Sequence, residues 1–195
     1  MSNANEVQIS GVLSPWLINV HMRAAGGESF PQGAGLRLMH KGGELHLITT
    51  NNALLLHTTI DAREAQCADC PDFDTIALVT RKIDALLPVS FRVADRLIIF
   101  ESGSYVDAFR ICDATKYLDV AKAEGDPAAL EYPQVKPFDP ALLAIVRDYL
   151  GDDSAACMAY MCPMQTKRGA YRYHRYDGGG IKTRTATLLP LKLRY

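Results

Sequence analysis

Nowhere in these 195 residues does an uncharged apolar run approach the roughly 18 residues that a membrane-spanning helix needs, so no span is expected. The opening residues, Met1–Glu6, carry neither a basic nor an apolar stretch, so no secretory leader is visible and a cytoplasmic location is expected. No G-x-S-x-G, H-E-x-x-H, Walker A or G-x-G-x-x-G pattern occurs, which leaves catalysis without a motif. Gly178–Gly180 opens a strand pattern rather than a helix, so it reads as a loop and not a phosphate cradle. Low-complexity tracts are absent, which sets disorder and fibrous repeats aside.

The cysteines, Cys67, Cys70, Cys112, Cys157 and Cys162, are odd in number and lack an export signal, which points to reduced thiols. Cys67 and Cys70 have metal-ligand spacing, and Cys157 with Cys162 is the pair that would complete a tetrahedral zinc site. One C-x-x-C is common in loops, so no metal and no cofactor are expected. Cys112 and Cys157 read as small buried hydrophobes. Of the five histidines, His21, His40, His46, His57 and His174, only His46 and His57 would meet, on neighbouring strands; no carboxylate pattern completes a metal site there.

The chain is 48% hydrophobic and 22% charged, the balance of a soluble globular protein with a substantial core. Its net charge of -1 hides an asymmetry. Residues 165–195 hold Lys167, Arg168, Arg172, Arg175, Lys182, Arg184, Lys192 and Arg194 against Asp177 alone, so the rest of the chain is strongly acidic. Such a tail either offers a basic face to a polyanion or pairs with the acidic body.

A helix followed by two or three strands recurs three times. Ser14-Pro15 starts the first helix, with Trp16, Leu17, Val20 and Ala24 as its stripe. Leu36–His40 and Glu44–Thr49 form a hairpin across Lys41–Gly43, and Leu54–Ile60 is a third strand. In the second unit, Asp72 or Asp74 caps a helix to about Leu87, with Ile76, Val79, Ile83 and Leu86/Leu87 as its stripe, ended by Pro88. Strands at 89–93, 96–100 and 105–112 follow. In the third, Asp139-Pro140 caps a helix whose stripe is Leu142, Leu143, Val146, Tyr149 and Leu150, with Gly151 ending it. Strands at about 154–161, 170–176 and 182–193 complete it. Three βαβββ-like units suggest duplication and side-by-side packing.

Gly43–Leu56 (GELHLITTNNALLL) resembles the L-x-L-x-A-T-D-G-H-R-L segment of the bacterial DNA polymerase III β subunit, the sliding clamp. Thr49, Asn51, Asn52 and Ala53 stand where that family has Ala, Asp, Gly and His. Val93–Gly103 resembles its D-x-R-L-x-I-x-S-G hairpin, and Tyr132–Pro137 its interdomain connector. Phe138–Leu150 resembles the helix of its last half-domain, and Leu188–Leu193 its C-terminal V-M-P-M-R-L. The order and spacing over residues 36–193 carry the resemblance, since each segment alone is unspecific.

The resemblance implies an α+β, DNA clamp-like fold: three βαβββ half-units with helices on one face of antiparallel sheets. Residues 1–132 would be a clamp-like domain of two half-units, and 133–195 a further half-domain. It implies a non-enzymatic processivity factor or replication accessory protein, of an element-encoded or phage type, that holds double-stranded DNA non-specifically. The DNA-binding positions would be Arg23, Arg81, Lys82 and Arg147 on helix faces, with Arg172 and Arg175 in the basic aromatic strand. A peptide from a polymerase or clamp loader would enter a pocket of Thr50, Leu55, Pro137, Thr187 and Leu189. A homo-oligomer is expected, whether closed ring, dimer or non-ring assembly. Two other readings stand beside this one: a clamp-fold interaction module without DNA, and a small metal protein using Cys67, Cys70 and a His.

Overall fold

Ser14 is extended (φ -63°, ψ 129°) and Pro15 takes the first helical position, so the first helix, α1 (Pro15–Arg23), begins where the sequence places it. Leu17, Ile18, Val20 and His21 are its buried side chains. Trp16, expected on the stripe, is instead 44% exposed. The computed structural model describes residues 7–26, 33–61, 71–124, 138–151, 160–163, 171–176 and 181–190.

The strands are β1 (Val7–Leu13), β2 (Leu36–Lys41), β3 (Glu44–Thr50), β4 (Leu54–Asp61), β5 (Phe73–Ala77), β6 (Val89–Ala94), β7 (Leu97–Ser102), β8 (Tyr105–Asp113), β9 (Tyr160–Pro163), β10 (Tyr171–Tyr176) and β11 (Ile181–Leu188). Gly42 and Gly43, at φ +59° and +78°, form the two-residue turn of the β2–β3 hairpin, where both central residues need positive φ. The helix α3 (Pro140–Leu150) is capped by Asp139, whose carboxylate accepts from Ala141 N at 2.8 Å. A short 3-10 turn (Ala114–Lys116) and α2 (Val120–Glu124) come between β8 and α3.

The eleven strands among the described residues join one sheet in the order β1-β6-β7-β8-β5-β2-β3-β4-β11-β10-β9. The first two units exchange strands: β1 pairs antiparallel with β6 of the second, and β5 pairs antiparallel with β2 of the first. The third unit joins through β11 on β4. This is the α+β clamp-like architecture the sequence implied, with α1 and α3 side by side on one sheet face. The main core lies between that face and the helices, with Leu36, Leu38, Leu45, Leu47, Leu56 and Ala186 fully buried. A smaller cluster sits on the other face, where Ala114, Tyr117, Val120 and Ala123 cover Ile48, Leu55 and Ile76. The short α2 is therefore on the opposite side from α1 and α3.

The second unit departs from expectation. No helix runs from Asp72 or Asp74 to Leu87: residues 73–77 are strand, and residues 78–88 cross α1 as an irregular strap. Ile76 and Ala77 are consumed by the β2 ladder. The side-chain amide of Asn19 holds the strap, donating to Ile83 O and accepting from Ile83 N, both at 2.8 Å. Val79 and Ile83 are buried, whereas Leu86 and Leu87 are 102% and 65% exposed. The helical stripe was thus divided between a strand, two anchors and an exposed pair. Likewise Cys112, expected in the core, is exposed on β8. Cys67, Cys70 and Cys157 lie outside the described residues, as does the 132/133 boundary.

Candidate nucleic-acid interface and peptide cleft

Trp16, Asn19 and Arg23 line one edge of α1, the strap passes that edge, and the C-terminal turn of α3 brings up Arg147 and Asp148. Between them lies a groove of about 740 Å³, whose walls include Arg23, Lys82, Arg147, Asp84 and Asp148. A second groove, of about 440 Å³, is lined by Arg23, Arg81, Lys82 and Val79. The fold therefore gathers four of the six DNA-binding candidates, from three separate segments, onto the helix side.

Three of those four cations meet carboxylates. Arg23 Nη1 is 2.6 Å from Asp148 Oδ2, and Lys82 Nζ is 3.3 Å from Asp84 Oδ1. Arg81 donates from Nε to Asp107 Oδ2 at 2.7 Å and from Nη2 to the other oxygen, with its guanidinium 5.1 Å from the Phe109 ring centroid. The hydrogen bond to Asp107 raises the Arg81 pKa, which keeps it charged. Arg147 is exposed and has no ion pair among the described residues.

Arg172 and Arg175 do not join this group. On β10 alternate side chains take opposite faces, and the register sets Arg172 opposite Thr187 on the outer face and Arg175 opposite Arg184 on the helix face. Arg175 Nη1 donates to Leu150 O, and Arg184 Nη1 donates to Tyr149 O, so two arginines satisfy the last carbonyls of α3. A Cβ at Gly151 (φ +82°) would come within 2.6 Å of Arg175 Nη1. Sequence reading passed over Arg184, which is 6% exposed and lies 5.5 Å from the Trp16 ring centroid. Lys182 pairs with Glu44 at 2.8 Å and Asp61 at 3.5 Å. At Arg175, Lys182 and Arg184, then, tail charge is spent within the fold.

The cleft candidates fall in one row. Thr50 opposes Leu55 across β3–β4, and Leu55 opposes Thr187 across β4–β11. Leu189 N donates to Ala53 O at 2.8 Å, which brings Leu189 to the end of the row. Pro137 lies outside the described residues. Thr50, Leu55 and Thr187 are buried, and Leu189 is half-buried. Thr187 Oγ1 is buried with no hydrogen-bond partner among the described residues. On one side the row is covered by Tyr117, whose phenol donates to Ile48 O at 3.2 Å; burial pushes that phenol's pKa upward. The β3–β4 turn is closed by Asn51 Oδ1, which accepts from Ala53 N and Leu54 N, while Asn52 takes φ +71° where the clamp segment has Gly.

No protein-family model matches the sequence, and no curated protein matches it. Solved structures do, and they define a sliding-clamp fold. A DNA polymerase sliding clamp from Pseudomonas aeruginosa, solved with ligand, superposes with a TM-score of 0.62 at 12% identity, covering 99% of this chain and 67% of that one. The DNA polymerase III β subunit from Thermotoga maritima gives a TM-score of 0.61 at 10% identity, covering 97% and 65%. A DnaN sliding clamp from Bartonella birtlesii bound to griselimycin gives 0.56 at 12% identity, covering 99% and 68%. The chain thus spans about two thirds of the length of these clamps, and what it shares with them is the fold. No helix among the described residues is long and apolar enough to cross a membrane.

Proposed function

We propose that this chain is a non-enzymatic, clamp-like accessory protein of DNA replication that holds duplex DNA without reading its sequence. The observation that carries this is the convergence of Arg23, Arg81, Lys82 and Arg147 on the grooves beside α1. Phosphates would meet Arg147 first. Arg23 and Lys82 would then exchange exposed carboxylates for phosphate, a low-cost exchange because exposed ion pairs contribute only about 0–1 kcal/mol, whereas Arg81 would keep its pair with the buried Asp107 and add only its long-range field. Contacts this few favour sliding over fixed binding. Arg172 and Arg175 are left out of this face for the reasons of register and helix capping given above.

Partner polymerases or loaders would be tethered by a short apolar peptide seated at Thr50, Leu55, Pro137, Thr187 and Leu189. The protein would act in the cytoplasm as a homo-oligomer, with residues 1–132 as a two-unit domain and 133–195 as a further half-domain. The test is duplex binding across a salt series for the parent and for Lys82→Glu combined with Arg147→Glu. The double variant is expected to bind more weakly, with the slope of log affinity against log salt shallower by about 0.9 per lost phosphate contact. Equal affinity and slope would reject the DNA role.

A second reading, a clamp-fold interaction module without DNA, is favoured by the carboxylates Asp84, Asp107 and Asp148 that already occupy three of the four cations. It predicts no salt-dependent retention on closed circular DNA. Solution mass adds to the distinction, since a closed oligomer accords with the first reading and a monomer with the second.

A further inference from the structure

A separate chemistry-bearing cluster lies on the outer face of β3 and β4, away from the grooves. In the ladder Ile48 opposes His57 and His46 opposes Thr59, so the two histidines are diagonal neighbours on one face. Their rings are tilted by 46° with centroids 5.3 Å apart, and His46 Nδ1 lies 3.1 Å from His57 Nε2. Both are half-buried, on central strands paired on either side, so the nitrogens are held together rather than brought together.

We propose that His46 Nδ1 and His57 Nε2 bind one divalent first-row transition ion of the Zn²⁺, Ni²⁺ or Cu²⁺ class, with water in the remaining positions. At zinc–imidazole bond lengths of about 2.05 Å, nitrogens at this separation subtend an angle of roughly 98° at the metal, between square or octahedral and tetrahedral values. As the metal enters, the proton between the two rings passes by way of water to a ring nitrogen that does not ligate, so both imidazoles bind neutral. When Nδ1 of His46 ligates, its Nε2 carries the hydrogen, and Glu44 Oε2 stands 3.8 Å from that nitrogen. A side-chain shift of about 1 Å would bring the two to hydrogen-bond distance and complete the carboxylate–histidine–metal arrangement that orients an imidazole ligand. The charged groups beside the pair are Glu44 and Asp61, the Lys182 ammonium between them, and Lys41, which the ladder sets opposite Glu44, so the surroundings are balanced in charge and the two imidazoles carry the affinity. Thr59 Oγ1 lies 3.4 Å from His46 Nδ1, and Thr185 Oγ1 donates to His57 O at 3.4 Å, so polar groups surround the site.

The experiment is calorimetric titration of the full chain with NiCl₂, in a Cys67→Ser/Cys70→Ser background that removes competing thiols. One equivalent is expected to bind. His57→Gln and His46→Gln should each weaken binding at least tenfold, and Glu44→Gln about tenfold with stoichiometry retained. Nickel should raise the melting temperature of the background protein but not that of either histidine variant. A readout that needs no variant is imidazole proton NMR, in which paramagnetic nickel should broaden the His46 and His57 signals before the others. Absence of uptake, unchanged affinity in the histidine variants, or first broadening at other histidines would overturn the proposal.

Discussion

Thr58 Oγ1 and Tyr149 OH lie 2.7 Å apart, a buried hydrogen bond between residues 91 positions apart in the chain that joins β4 to α3. His21 of α1 completes the junction. Its Nδ1 is 2.9 Å from Thr49 Oγ1, its Nε2 is 2.9 Å from Thr58 Oγ1, and its ring meets Tyr149 edge-on at 5.3 Å. The first and third units are therefore locked by polar contacts inside an apolar core. Tyr149→Phe keeps the ring and removes the hydroxyl, so it should cost about 1–2 kcal/mol, seen as a lowered urea midpoint with an unchanged slope.

The same junction makes stability depend on pH. Burial first, then the charges of His57 and Arg184, hold the His21 pKa down to about 3 from 6.5. In the fold the ring stays neutral, while in the unfolded chain it takes up a proton below about pH 6.5, so acidification favours unfolding. The contribution is fully present above pH 6.5 and is lost progressively toward pH 3. At pH 5 the loss is about 2 kcal/mol. Unfolding midpoints between pH 7 and 5 should fall accordingly in the parent, and His21→Gln should flatten that dependence.

Much of this architecture was legible because local rules and tertiary packing agree. Gly42-Gly43 supplies the positive φ that a tight hairpin turn needs, and Ser14-Pro15 and Asp139-Pro140 start helices in the structure as in the sequence. The strap was not legible. Val79 and Ile83 satisfy a helical period and an irregular crossing equally well, and what decides between them is Asn19, 64 positions away. The site divides in the same way. Arg23 and Arg147 were readable as exposed cations on helices, but their convergence with Arg81 and Lys82 required the strap, which the sequence presented as a helix. Arg175 and Arg184 read as tail charge meant for a polyanion or for acidic side chains, because the helix C-terminus they cap ends more than 20 residues before them and offers carbonyls, not carboxylates, that leave no mark in sequence.

Asn19 should therefore control the strap more than the fold. Asn19→Ala removes both hydrogen bonds to Ile83 and leaves the apolar face of α1 intact. Amide exchange at Ile83 should accelerate strongly, while global stability falls by only about 1–3 kcal/mol. Because Lys82 rides on the strap, the variant should also bind duplex more weakly if the grooves hold DNA. Unchanged exchange at Ile83 would show that Val79 and Ile83 alone hold the segment.

Leu55 and Leu189 separate the structural from the binding role of the outer row. Leu55 is 4% exposed within the cluster that includes Ile48, Ile76 and Tyr117, so Leu55→Ala should cost about 2–4 kcal/mol through its cavity. Leu189 is half-buried at the end of the row, so Leu189→Ala should cost less than about 1.5 kcal/mol. If the row seats a peptide, Leu189→Ala should weaken a clamp-binding peptide tenfold or more at nearly full stability, because anchors in apolar clefts carry most of the affinity. Fluorescence anisotropy with a labelled peptide measures this directly, and equal affinity for the parent and Leu189→Ala would remove the cleft from the proposed function while leaving the DNA face standing.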